Sequence, residues 1–241
     1  MYHGVQSSIT IVSGFLVYLI LILCSPISLA QAANSDKDND NNEYLSEDFE
    51  EENSIQICCT WGSDLQDGKL TYNIDDTDSS NEEQDAVRNA IEEWDSKIDS
   101  LDLERVSTVT PSDITVDFRD GSEETNTGEE IAGQTVTTFD QYDFLDNARI
   151  TIVKEPYGYE LNTLAIEQVA KHEMGHALGL GHANFDVNLM AQKVNDGTDN
   201  ISDCEIKAVI EANYWKLGSN NHDNTYPSYP EGASVICEDD Q

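Results

Sequence analysis

Along the chain, runs of apolar residues change period several times, and each change marks an element. Ile9 to Cys24 is an almost unbroken apolar run. Residues 34–53 then become acidic and Asn-rich, with too few apolar groups to offset the entropy of folding, so they are expected to be disordered. Folded structure is expected from about Ile55. Lys69-Leu-Thr-Tyr-Asn-Ile74 alternates like a strand. Ser80-x-x-Glu83 is a capping box, and Val87, Ala90, Ile91, Trp94 and Ile98 behind it share one helical face. Ile114, Val116 and Phe118 alternate in a second strand. The stretch around Val136 predicts a third, and Ile150 to Val153 a fourth. Residues 163–178 set Leu164, Val169 and Leu178 among good helix formers, with Asn162 or Thr163 as N-cap. A second capping box, Ser202-x-x-Glu205, opens a last helix that buries Val209 and Ile210 and stops at Gly218. Strands and helices in this order predict an α+β domain.

The first apolar run changes the picture of compartment. Ala30-Gln31-Ala32 follows it as a small-x-small cleavage site, so residues 1–32 have the layout of a secretory signal peptide. Residues 1–8 carry no Lys or Arg, which keeps an uncleaved N-terminal anchor as the alternative, because Ile9 to Ala30 nearly suffices to span a bilayer. Both readings place the domain outside the cell. The expected organisation is leader 1–32, acidic segment 33–54, domain 55–218 and tail 219–241.

Charge narrows the partners. The chain has 12 basic and 48 acidic residues, a net charge of −36. Nucleic acid is excluded as a partner, because no basic surface is available to neutralise phosphates. Carboxylates crowded on a compact fold repel one another, and salt or bound calcium relieves this. The thermal midpoint is therefore expected to rise in a graded way with salt or calcium. A midpoint that neither cation moves would overturn the prediction.

Export also permits disulfides. With the leader removed, Cys58, Cys59, Cys204 and Cys237 remain, and a vicinal bridge between Cys58 and Cys59 is geometrically awkward. Each is therefore expected to pair with Cys204 or Cys237, in one of two crossed patterns. Either pattern ties the start of the domain to its last helix and tail.

The chemistry is concentrated in residues 172–182, His-Glu-Met-Gly-His-Ala-Leu-Gly-Leu-Gly-His. His172 and His176 are four apart and project from one face of a helix. Gly179 lets the chain leave helical dihedrals, so that His182 supplies a third nitrogen. Three neutral imidazoles with an open fourth position suit a catalytic zinc rather than a closed structural one. Glu173 is placed to take a proton from water at the metal. The string fits H-E-x-x-H-x-x-G-x-x-H, the metzincin signature, at every position.

Met190, eight residues past His182, resembles the Met-turn methionine of matrixins, the matrix-metalloproteinase-like branch of the metzincins. The order of elements resembles the matrixin catalytic domain over roughly residues 60–217. This resemblance implies a mixed, mostly parallel twisted sheet with an antiparallel edge strand and two long helices. A zinc cleft would lie above a small C-terminal subdomain carrying the third helix. There are departures from the family pattern. Residues 119–171 contain no histidine, so the family's second, structural zinc is not expected. The pattern around Cys58-Cys59 does not support a cysteine switch. Gln192 stands where the astacin and serralysin branches carry a tyrosine ligand.

The sequence therefore reads as a secreted, monomeric zinc endopeptidase acting on protein or peptide substrates. Membrane contact would come only through an uncleaved leader. The substrate is expected to add as a strand along an edge near residues 132–138. The competing reading is a non-catalytic, acidic cation-binding surface protein on the same fold. It leaves Glu173 without a role beside three spaced histidines.

Overall fold

The computed structural model describes residues 5–11, 52–121, 123–124, 130–194, 199–218 and 233–238. In chain order the strands and helices are β1 (Val5–Ile11), β2 (Ser54–Ile57), β3 (Lys69–Ile74), α1 (Asn81–Lys97), β4 (Asp102–Arg105) and β5 (Ile114–Arg119). A short hairpin, β6 (Glu123–Glu124) and β7 (Glu130–Ile131), precedes β8 (Gly133–Phe139) and β9 (Leu145–Val153). Then come α2 (Thr163–Ala177), β10 (Leu180–Ala183), β11 (Lys193–Val194), α3 (Asp203–Ala212), α4 (Tyr214–Leu217) and β12 (Ser234–Ile236).

The main sheet runs β11-β1-β8-β9-β5-β3-β4. β4, β3, β5 and β9 are parallel, and β8 is antiparallel to β9. This is the expected α+β architecture. Two long helices pack on the sheet and on each other. α1 opens on the Ser80–Glu83 capping box and turns Ala86, Val87, Ala90, Ile91 and Trp94 inward. α2 starts at Asn162, whose side chain accepts the Ala165 N–H. From Val169 to Ala177 every residue of α2 is buried, because packed structure surrounds this half of the helix. Leu164, counted in the predicted apolar pattern, lies before that half and is 77% exposed. Lys171 joins the helices: its ammonium pairs with Glu93 and Glu167 at 2.7 and 3.0 Å, and the Trp94 indole donates to its carbonyl.

A second, antiparallel sheet has the order β10-β2-β12 and, with α3, builds the small subdomain. The last helix departs from expectation by breaking at Asn213, so that α3 and α4 replace one continuous helix to Gly218. Asn213 is recruited elsewhere: its amide donates to the Leu178 carbonyl and accepts the Trp61 N–H.

Two expectations are corrected here. The disulfides are Cys58–Cys59 and Cys204–Cys237, not the crossed pairs. The cause is register: β12 pairs with β2 so that Ile236 faces Ser54 and Ser234 faces Gln56. Cys237 is thus carried to Asn53 at one end of β2, while Cys58 and Cys59 follow the other end. Cys204, at the start of α3, meets Cys237 with a Cα separation of 5.3 Å. The tail is therefore tied to α3 as expected, but not to the start of the domain by a covalent link. The second correction concerns residues 132–138. β8 is not an edge here, because β1 pairs antiparallel with it from Val5↔Thr137 to Ile9↔Gly133. An uncovered strand edge attracts a further strand. Residues 34–51 and most of the apolar run 9–24 lie outside the described residues. Among those described, no helix is long and apolar enough to cross a membrane.

Candidate metal centre

α2 places His172 and His176 one helical turn apart, and both are buried. At Gly179, with φ of +103°, the chain turns out of the helix into β10, where His182 sits half-buried. One ring nitrogen from each of His172, His176 and His182 lies within 4.8 Å of the others. The structure brings together all three histidines expected from the sequence.

The hydrogen bonds orient two of the rings. His172 Nδ1 lies 2.6 Å from the Leu189 carbonyl and His176 Nδ1 lies 2.8 Å from the Leu180 carbonyl. A carbonyl only accepts, so each Nδ1 carries the proton and each Nε2 presents a lone pair. His172 Nε2 and His182 Nε2 are buried with no hydrogen-bond partner, as is Glu173 Oε1. Buried polar atoms are rarely left unpaired, so this cluster fits a bound cation. Neutral imidazole and a pocket of this donor set suit zinc.

Burial pushes all three histidines down: His172 well below 6.5, aided by its two histidine neighbours, His176 to about 4 and His182 to about 3. Burial likewise pushes the Glu173 carboxyl up to about 8, opposed by the hydrogen bond from Thr135. The Thr135 hydroxyl reaches from β8 to within 2.7 Å of Glu173 Oε2 and 3.0 Å of the Glu173 carbonyl. Gly133 on the same strand leaves the necessary room, since a Cβ there would stand 2.8 Å from Glu173 Oε1. A dication among the histidines would favour the ionised carboxylate.

These shifts predict how the metal-free protein responds to pH. A depressed histidine pKa means that the unfolded chain binds more protons below 6.5, so stability falls as pH drops from 6.5 through about 4. A raised Glu173 pKa acts with the opposite sign, and its contribution is lost as pH rises from 4.5 through about 8. Three histidines outweigh one carboxyl where the windows overlap. Chelated protein is thus expected to melt highest near pH 6.5, the ordinary histidine value. A melting profile that rises steadily towards acid would contradict this assignment.

Met190 is fully buried against α2, with its sulfur beside Gly175. Its N–H bonds Asn188 Oδ1 and its carbonyl accepts the Ala183 N–H, which fixes the turn beside His182. Cys58 and Cys59 lie against the Gly179 turn, where both N–H groups donate to the Gly179 carbonyl. Cys204 lies at the start of α3, with Cys237 bonded to it. Sequence reasoning missed Thr135, Leu180 and Leu189, which act on the centre through a hydroxyl and two carbonyls. It also missed the destination of Glu205. This carboxylate is fully buried and accepts the Leu189 N–H and both the N–H and hydroxyl of Ser202. The capping box was the only signal for it.

Compared with known protein families, residues 60–213 match the matrixin family of peptidases. That match covers more than half of the chain. No individually curated protein matches it.

Proposed function

This chain belongs to the matrixin family of zinc metallopeptidases, and from that premise we propose that it is a secreted endopeptidase with Glu173 as general base. The observation that carries this reading is the convergence of three neutral histidines, His172 and His176 buried and His182 half-buried, beside an unpaired Glu173 oxygen. When bound by His172, His176 and His182, zinc supplies a Lewis acid that acidifies water and polarises a carbonyl. Glu173 Oε1 takes the proton of the attacking water and returns it to the nitrogen of the leaving amine. Thr135 holds the other carboxylate oxygen and so aims the base. Met190 forms the apolar floor.

Removal of the leader takes β1 away and leaves β8 as an edge, and the substrate then lies extended between β8 and β11. Support comes from β1, which occupies that lane antiparallel to β8 and parallel to β11, so the lane is wide enough for one strand. Backbone pairing of this kind binds many sequences, and side-chain pockets choose among them. Residues 1–32 act as the export leader, 55–218 as the catalytic domain, and 219–241 as a tail anchored through Cys237. Calcium serves as a further cation for the acidic surface.

The test uses the exported protein. One zinc per chain, casein cleavage lost in chelator and restored by zinc, and internal cuts identified by mass spectrometry are the expected results. Exopeptidase products alone, or zinc that still binds after all three histidines are replaced, would overturn the proposal.

A further inference from the structure

The turn that carries the chain from the second histidine to the third is held from outside. The carbonyls of Ala177, Leu178 and Gly179 end the ligand helix, where the helix itself supplies no donors. Trp61 Nε1 donates to Ala177 at 2.9 Å and Asn213 Nδ2 to Leu178 at 2.9 Å. The Gly179 carbonyl receives two donors, the N–H groups of Cys58 at 3.0 Å and Cys59 at 3.3 Å. That last arrangement is unusual for a chain leaving a strand. Successive N–H groups of an extended backbone point to opposite edges. Two neighbouring N–H groups meet one oxygen only if the backbone bends between them. The Cys58–Cys59 disulfide closes a small ring around that peptide bond and holds the bend.

The consequence reaches the histidines through short links. Leu180, next to Gly179, pairs with Ile57 across β10 and β2, and its carbonyl orients His176. His182 follows two residues later. Cys59 is fully buried against this turn. We propose that the vicinal disulfide Cys58–Cys59 is a positioning element for the metal centre. It fixes the paired donors that seat the Gly179 turn, and through that turn it aims His176 and His182. Opening the bond weakens the centre's hold on its metal, so the peptidase is sensitive to reductants at a site outside the three histidines. The inference rests on the reading that the three histidines hold zinc.

The test compares the zinc-loaded, exported wild type with C58S/C59S and C204S/C237S variants, at a temperature well below each melting point. Zinc transfer to a chromophoric chelator and the absorption spectrum of the cobalt-substituted protein are the readouts. A water-soluble phosphine opens the bond in place: the phosphine becomes its oxide, water supplies that oxygen and the protons, and each sulfur leaves as a thiol. Partners that orient metal ligands typically alter affinity about 10- to 100-fold. The C58S/C59S variant and phosphine-treated wild type are expected to lose zinc affinity within that range and to show an altered cobalt spectrum. The C204S/C237S variant is expected to keep both while melting lower. If C58S/C59S does not fold, phosphine treatment of folded C204S/C237S decides, because Cys58–Cys59 is then the one bond left to reduce. Unchanged zinc affinity and cobalt spectrum after the vicinal bond is opened would overturn the proposal, as would alkylation of both Cys58 and Cys59 in unreduced protein. Failure of the untreated wild type to bind cobalt at all would instead refute the zinc reading.

Discussion

Replacing Glu173 by glutamine is expected to lower kcat roughly 10²- to 10⁴-fold, the usual contribution of a positioned proton-transfer group, while zinc stays bound. In free energy this is about 3–5 kcal/mol of barrier. Glutamine has nearly the same shape, and its carbonyl oxygen still accepts from Thr135, so packing against Gly133 is preserved. What disappears is the ability to receive a proton from water. The histidines keep their bonds to the Leu189 and Leu180 carbonyls, neither of which involves Glu173. Metal content and peptide hydrolysis measured on one preparation separate the two effects. A Glu173→Gln protein retaining more than about a tenth of wild-type turnover would mean that another group accepts the proton. A protein that loses zinc as well as turnover would show instead that Glu173 holds the site together. Thr135→Val gives an intermediate case. It removes the hydrogen bond that favours the carboxylate, so the Glu173 pKa rises further and the acid limb of the rate profile moves to higher pH.

Both long helices were legible because their signals are local. Ser80 with Glu83 and Asn162 ahead of Ala165 lie within a turn of the bonds they make. The three histidines were legible for the same reason, since one helix and one glycine bring them together. The small sheet was not. β2, β10 and β12 are three or four residues long, too short for a period to register, and they join segments far apart in sequence. The disulfides followed that sheet, so the error in pairing came from a register that no local pattern encodes. Thr135 was invisible on similar grounds: its partner lies 38 residues away, and a threonine in a strand is ordinary. Asn213 shows tertiary demand overriding a local preference. Its side chain serves Leu178 and Trp61, and the helix breaks where that bridge is made.

Replacing Gly179 by alanine should be the most damaging single-methyl change in the domain. At φ of +103° an L-residue is strained, which costs about 1–3 kcal/mol. The added Cβ also runs into the Cys59 carbonyl oxygen. That obstacle is backbone, held by a disulfide and by hydrogen bonds, so it has no rotamer through which to yield. Relief requires the turn itself to shift. The Gly179 carbonyl then leaves the Cys58 and Cys59 donors, Leu180 moves from His176, and His182 is carried off its position. Strain and clash together are expected to cost about 2–4 kcal/mol, lowering the melting temperature by roughly 5–15 °C in a domain of this size. Zinc affinity should fall about 10- to 100-fold or more. Gly158→Ala is the matched control. Its φ is +70°, but nothing lies within 4 Å of an added Cβ. It therefore isolates the dihedral cost, expected at about 1 kcal/mol, and should leave zinc binding alone. Thermal melts and metal competition on both variants give the comparison. If Gly179→Ala binds zinc as tightly as the wild type, the turn is not what aims the third histidine, and the metal itself must organise that segment.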